Sequence, residues 1–397
     1  MRILVVQNVL PPGSAGGAEQ VCRNAVIGLL GHGHQVGLLT SAPTETIEGV
    51  KGYSGLRLLP LVEKHASMRT MRYRIIWLFL GLLNRRYTER VLAEFTPDVV
   101  YFHNQEWLTA GPVSAVATAR IPFVLHAHNH HFAGRVTKKG GVGTRLYRLF
   151  LGEDRLSPTT SVIAVSEDIA NGLISKGFHP DSTHVIYNSL PDDMFKAAQT
   201  LSAPRKEKTI VFAGVMANHK GVRVAVEAVI LAKKKMPDLS LALYGPPGDE
   251  QYARDLRELV VLHDLGSSIV FHGPVPREEL WQAMVTSELL IMPSLCREAF
   301  GLVAAEAMLA GAIVIGSNRG AIPEVVGECG FLAEPTPESF AETILKVAAL
   351  PEKQKGQLRE KARDRVHTLF MPDIQMERIM RILSEVSGKA EKPTAQS

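Results

Sequence analysis

Short apolar runs alternate with amphipathic stretches along most of the chain, the rhythm of strand–helix units built around parallel sheets. In the first half this pattern predicts strands at 3–7, 35–39, 56–61, 99–103, 123–128, 162–165 and 184–187. In the second half it predicts strands at 209–213, 240–244, 269–272, 289–292, 312–316 and 330–333. The run Leu289-Leu290-Ile291-Met292 is apolar at every position, so both of its faces should be buried, as in the middle of a parallel sheet. Between the halves, 199–208 is polar, charged and proline-bearing, and reads as a linker. The expected organisation is therefore α/β, with one doubly wound parallel-sheet domain at 1–200 and a second at 201–370. The stretch 371–387 has helical periodicity, and the polar tail 388–397 is expected to be disordered. In sheets of this kind ligands sit beyond the carboxyl ends of the strands, where the strand order reverses.

Composition narrows the class without changing the fold. At 397 residues the chain exceeds what one hydrophobic core usually supports. A net charge of +4 suits anionic small ligands or a membrane surface and argues against nucleic acid. Cys22, Cys296 and Cys329 are far apart and form no C-x-x-C pair, which disfavours a disulfide framework and a structural zinc site and points to the cytoplasm. Met1–Val6 enters a strand directly, without the regions of a signal peptide, and the apolar run 75–83 is too short to span a membrane. The segment 64–90 mixes Arg69, Arg72, Arg74, Arg85, Arg86 and Arg90 with Tyr73, Trp77 and Phe79. Two readings stay open: a basic amphipathic helix on an anionic membrane, or a peripheral helix with snorkelling arginines.

Candidate chemistry concentrates at strand ends. Pro293-Ser294-Leu295-Cys296-Arg297-Glu298-Ala299-Phe300-Gly301-Leu302 follows the buried run 289–292 and leads into a helix that carries Glu306. A glycine at a loop-to-helix entry exposes N–H groups and a partial positive charge, which suits phosphate. Glu298 and Glu306 could accept hydrogen bonds from hydroxyls at opposite ends of a nucleotide sugar; alternatively Glu298 caps the helix and Glu306 lies on a solvated face. Lys220, in Phe212-Ala213-Gly214-Val215-Met216-Ala217-Asn218-His219-Lys220-Gly221, can neutralise a diphosphate or be an ordinary surface lysine. The loop 11–19 places Gly16, Gly17 and Glu19 at a helix start that favours an anion or serves as a plain turn and cap, and it lacks the G-x-G-x-x-G dinucleotide fingerprint. In Leu125-His126-Ala127-His128-Asn129-His130-His131, strand alternation puts His126, His128 and, where the strand runs on, His130 on one face. A metal must be considered there, but no carboxylate or cysteine is close in sequence, so the reading is metal: none. His103 and Asn104 end another strand and are either acceptor contacts or a cap. Ser166 reads as a helix cap, and His32 and His34 as a helix exit.

Taken together, Glu298 and Glu306 in E-x7-E spacing, the Glu-Ala-Phe-Gly-Leu context and Gly320-Ala321-Ile322-Pro323-Glu324-Val325-Val326 resemble glycosyltransferase family 4, also called glycosyltransferase group 1. The resemblance runs over almost the whole chain. It implies a GT-B fold, two Rossmann-like domains facing across a cleft, and transfer with retention from a nucleotide-diphosphate sugar, UDP-sugar before GDP-mannose. Glu298 would then hold donor sugar hydroxyls, Glu306 the ribose, and the backbone of Phe300, Gly301 and Leu302 the sugar-diphosphate. Lys220 matches the lysine of a G-R…K-G pattern, but Val215 stands where the arginine is expected; Arg223 and Arg297 are candidate substitutes. Gly16 and Gly17 would reach the donor phosphate, and Glu19 the acceptor. His128, six residues after Pro122, would stabilise charge at the reacting sugar, with Asn129 on the acceptor side. Asn188 matches the family's strand-end asparagine, and 371–387 would pack back on the first domain.

No D-x-D triplet occurs, so no metal and no cofactor is expected. The acceptor would be a saccharide, a lipid-linked saccharide or a small molecule, met in the cytoplasm or peripherally at the inner face of the membrane. Competing readings are a nucleotide-sugar epimerase, a catalytically weak sugar-nucleotide-binding subunit, and, most remote, a metal-dependent hydrolase built on the histidines.

Overall fold

A computed structural model of the chain describes residues 1–10, 16–43, 47–58, 71–103, 108–129, 156–157, 159–200 and 204–389; within the helix Met71–Phe95 the side chains of 71–75 and 77 are excepted. It divides into two compact units, Met1–Tyr187 with Pro372–Ser397, and Asn188–Met371.

The first unit holds a sheet of β1 (Arg2–Val6), β2 (Gln35–Thr40), β3 (Val50–Ser54), β4 (Val99–Phe102), β5 (Phe123–Ala127), β6 (Val162–Ala164) and β7 (Thr183–Val185). Its order is β3-β2-β1-β4-β5-β6-β7, all parallel. The second unit holds β8 (Lys206–Ala213), β9 (Ser240–Tyr244), β10 (Ile269–Gly273), β11 (Ser287–Met292), β12 (Ile313–Ser317) and β13 (Phe331–Ala333), in the order β10-β9-β8-β11-β12-β13. These too pair in parallel throughout. Central strands such as β4 and β11 are buried at every position, as expected of strands covered on both faces.

Two expectations are corrected. The third strand lies at Val50–Ser54, not at 56–61. It is an edge strand hydrogen-bonded only to β2, and of its residues only Tyr53 is buried, so it lacks the apolar signature that was sought. Leu56 is buried, but as an irregular turn in which its N–H donates to the Thr40 carbonyl. The remainder of that expected strand, from 59 onward, lies outside the described residues. The boundary between units falls at Asn188 rather than near 200, because the helix Asp192–Gln199 buries Met194 and Phe195 in the second unit. There Arg277 reaches Met194 Sδ, and the Phe195 ring meets His367 edge-on. The disordered tail expected at 388–397 falls, from 390, outside the described residues.

Each unit has its own core. In the second, apolar residues of β8, β9, β11 and β12 pack against the helices Val222–Lys233 and Pro337–Ala348. In the first, Ile3, Val5, Val36, Leu38 and Val99 pack with Cys22, Ala25, Val26 and Leu29 of the helix Gly17–Gly31. The helix Pro372–Ser387 closes this core with Met376, Ile379, Met380, Ile382 and Leu383. No helix among the described residues is long and apolar enough to cross a membrane.

Candidate active site

In the second sheet the strand order reverses between β8 and β11, and the loops after these two strands carry the strongest sequence motifs. After β8, a short turn at Asn218–Lys220 ends in Gly221, whose φ of +70° is left-handed and opens the helix Val222–Lys233. A Cβ at Gly221 would lie 1.8 Å from the Pro293 carbonyl oxygen, so this glycine lets the two loops touch. Their backbones also bond, with the N–H groups of Leu295 and Cys296 donating to the His219 carbonyl at 2.9 and 3.2 Å.

This contact brings Lys220 to Glu298. Lys220 Nζ lies 2.7 Å from Glu298 Oε1, and the Ser294 hydroxyl donates to the same oxygen at 2.7 Å. Glu298 is thus held by a cation and a hydroxyl, and does not cap the helix. The cap is Gly301, with φ +99° and no side-chain cap bond, so the helix Leu302–Ala310 presents an uncapped N-terminus beside this pair. Phe300 is buried, edge-on to Phe370. Glu306 is not on a solvated face either. Its side chain is 19% exposed, with Arg277 Nη2 at 3.7 Å. Burial pushes its carboxyl up to about 7, and Arg277 opposes that rise.

Both proposed substitutes for the missing arginine are placed. Arg223 donates to Glu227 at 2.8 Å along its own helix, and Arg297 is exposed in the Glu298 loop. Val215 itself is 39% exposed. Asn188 opens this unit and is buried.

In the first sheet the order reverses between β1 and β4. Gly16 caps the helix Gly17–Gly31 without a side-chain bond, and Glu19 is buried in its first turn. Residues 11–15 of that loop, and Asn104, His130 and His131, lie outside the described residues. His103 follows β4, and His126 and His128 lie in and just beyond the neighbouring strand β5. His103 Nδ1 is 3.1 Å from His128 Nε2, while His126 Nδ1 is 2.7 Å from the Tyr101 hydroxyl. The rings of His126 and His128 are 4.2 Å apart between centroids, as alternation along a strand requires. Burial lowers His128 to about 3 and pushes His103 and His126 well below the ordinary histidine range, so all three are neutral imidazoles near pH 7. Asn129 is partly exposed beside them. Ser166 caps the helix Glu167–Ile174 by accepting from the Ile169 N–H, and His32 bonds the Gly28 carbonyl at a helix exit.

Sequence reasoning assigned no role to Ser294, Arg277 or Tyr101. Ser294 stood inside the quoted motif and was legible as a nearby hydroxyl. Arg277 lies on another helix, and Tyr101 was hidden in an apolar strand.

The two parallel-sheet domains place a glycine-capped helix start and two glutamates at the strand-order reversal of the second sheet, where α/β sheets of this kind hold their ligands. The profile of the Glycosyltransferase Family 4 domain matches residues 15–193, and that of Glycosyl transferases group 1 matches residues 193–365. An uncharacterized glycosyltransferase of Methanocaldococcus jannaschii is 24% identical over 342 residues, covering 82% of this chain and 83% of its own. Among solved structures, a glycosyltransferase from Rickettsia africae superposes with a TM-score of 0.75 at 20% identity, covering 98% of this chain and 99% of its own. Anabaena HepE in complex with UDP-glucose superposes with a TM-score of 0.66 at 20% identity, covering 97% of this chain and 100% of its own. The chain belongs to the family 4, group 1 glycosyltransferases, and its two domains are those of the GT-B fold.

Proposed function

We propose that this glycosyltransferase takes a nucleotide-diphosphate sugar, UDP-sugar before GDP-mannose, and transfers the sugar with retention to a hydroxyl of a saccharide or lipid-linked saccharide. The observation that carries the reading is the cluster of Lys220, Glu298 and Ser294 at the mouth of the helix Leu302–Ala310, with Glu306 further along that helix. Lys220 and the helix N-terminus meet the diphosphate charge, Glu298 accepts from sugar hydroxyls, and Glu306 accepts from the ribose. The backbone of Phe300, Gly301 and Leu302 lies along the sugar-diphosphate. That HepE is similar and was solved with UDP-glucose supports the donor class.

In the reaction, the bond from the anomeric carbon to the diphosphate oxygen breaks, and the acceptor oxygen bonds to that carbon on the same face. The acceptor hydroxyl proton passes to the departing phosphate. His128 is assigned to the reacting sugar, where an uncharged imidazole tolerates and stabilises developing positive charge. Gly16 and Gly17 are assigned to the donor phosphate, and Glu19, His103, Asn104 and Asn129 to the acceptor side. Donor handling here needs no metal and no cofactor, so turnover should persist in a chelator. The cytoplasm is the proposed location, which three free cysteines support.

The test is a mass-spectrometric screen of UDP- and GDP-sugars against saccharide, lipid-linked and small-molecule acceptors, and water, with NMR reading the anomeric form. A retained-configuration glycoside is expected. Inversion would overturn the mechanism, and donor turnover without any acceptor would favour an epimerase. Binding without turnover would favour the weak subunit, a reading supported by exposed Val215 in place of a phosphate-binding arginine.

A peripheral membrane role belongs to the same proposal. On the helix Met71–Phe95, Ile76, Phe79 (60% exposed) and Leu83 share a stripe with Arg86 and Arg90. Apolar anchors flanked by arginines suit an anionic interface. Co-sedimentation with vesicles containing anionic phospholipid is expected, and should weaken in Phe79→Ser and at high salt.

A further inference from the structure

The carboxyl edge of the first sheet gathers three imidazoles from two adjacent strands. One nitrogen from each of His103, His126 and His128 lies within 4.8 Å of the other two. His103 Nδ1 and His128 Nε2 are 3.1 Å apart. Nitrogens bound at 2.0–2.1 Å to a tetrahedral zinc lie about 3.4 Å from one another, so this pair already has the spacing of co-ligands. His126 is 2% exposed, and its ring is oriented from behind by the Tyr101 hydroxyl, 2.7 Å from Nδ1. Its Nε2 has no hydrogen-bond partner among the described residues, and neither has His128 Nδ1. A polar oxygen on the far ring nitrogen is what fixes the tautomer and direction of a metal-ligating histidine. Leaving a buried ring nitrogen unbonded is costly, and an ion in the cluster would relieve it at His126 Nε2.

We propose that His103, His126 and His128 form a three-imidazole site for a divalent transition metal, Zn²⁺ foremost, with a fourth position for water or hydroxide. Three neutral nitrogens select Zn²⁺, Co²⁺, Ni²⁺ or Cu²⁺ over Mg²⁺ and Ca²⁺, which prefer oxygen. No carboxylate belongs to the set, so an anion in the fourth position offsets part of the charge of the ion. Partly exposed His128 gives the ion a way in. The site is regulatory rather than required for transfer. Metal occupies the lone pair of His128 and so inhibits, a consequence that rests on the role proposed above for His128.

The experiment uses the full chain, stripped of metal and titrated with Co²⁺. Ligand-field absorption of tetrahedral Co²⁺ should saturate near one equivalent, be displaced by Zn²⁺, and ignore Mg²⁺. Tyr101→Phe keeps the ring and removes only the orienting hydroxyl, and should weaken binding about 10–100-fold. His103→Gln and His126→Gln should weaken it further. No saturable spectrum in the parent protein would overturn the site, as would a spectrum unchanged in all three variants. In parallel, Zn²⁺ should inhibit transfer over the concentrations that fill the site. Filling without inhibition would leave the metal site standing and remove His128 from the reaction, which separates the two ideas.

Discussion

With Glu306 on the ribose as proposed, donor recognition is coupled to pH. The Glu306 carboxyl titrates near 7 because burial disfavours the anion, and only the anion makes charge-assisted bonds to ribose hydroxyls. Donor KM should therefore rise as pH falls through about 7, and Glu306→Gln should flatten that dependence, with KM close to the parent's low-pH value at every pH. The same group acts on stability with the opposite preference. Its folded pKa lies above the unfolded value, so its contribution is fully present below about 4.5 and is lost as pH rises through about 7. At pH 8, urea denaturation should find Glu306→Gln more stable than the parent by roughly 1–3 kcal/mol. Lys220 is ion-paired to Glu298 and is the cation proposed to meet the diphosphate. Lys220→Ala should lower kcat by about 10²–10³, the usual cost of losing a preorganised charge at a leaving group. Val215→Arg should lower donor KM several-fold; unchanged kinetics would show that position 215 has no part in holding phosphate.

At the scale of elements, the site is a product of two loops that must touch. Gly221 allows this in two ways, by accepting a left-handed φ and by leaving room for the Pro293 carbonyl. Gly221→Ala should cost about 1–2 kcal/mol in backbone conformation alone, with more from the displaced Pro293 backbone. Because Leu295 and Cys296 bond to His219, that displacement should carry Glu298 away from Lys220. A melting curve and a donor titration read the two effects separately. A variant that melts lower but binds donor as the parent does would show that the loops stay in register without the glycine.

For the molecule as a whole, the first unit is discontinuous in sequence, since the chain leaves it at Tyr187 and returns at Pro372. The returning helix supplies five core side chains, Met376, Ile379, Met380, Ile382 and Leu383. Burying each contributes roughly 1.5–3 kcal/mol, together comparable to the roughly 5–15 kcal/mol that holds an entire domain folded. Truncation before Met371 should therefore unfold the first unit rather than trim it. Calorimetry of the truncated chain should show its transition lost or far lower, and a curve matching the full-length protein would contradict this packing.

The two-sheet α/β architecture was legible in the sequence because buried parallel strands must be apolar on both faces, and twelve of the thirteen expected strands overlap observed ones. Val50–Ser54 escaped because an edge strand with one buried residue carries no such signature. Glu298, Gly301 and Glu306 were legible as a motif because they lie within one loop and the helix it enters. Their distant partners were not: Lys220 and Arg277 meet them only because β8 and β11 are neighbours and the helix Arg277–Thr286 packs alongside. The histidines make the same point. The run of His126 and His128, with no carboxylate or cysteine close in sequence, was read as no metal site; only the pairing of β4 with β5 brings His103 beside them, in the cluster proposed above to hold one. Local periodicity and short motifs follow from backbone geometry, which the chain encodes over a few residues. Which charged and imidazole groups share a site follows from strand order, and that is set by packing between residues distant along the chain.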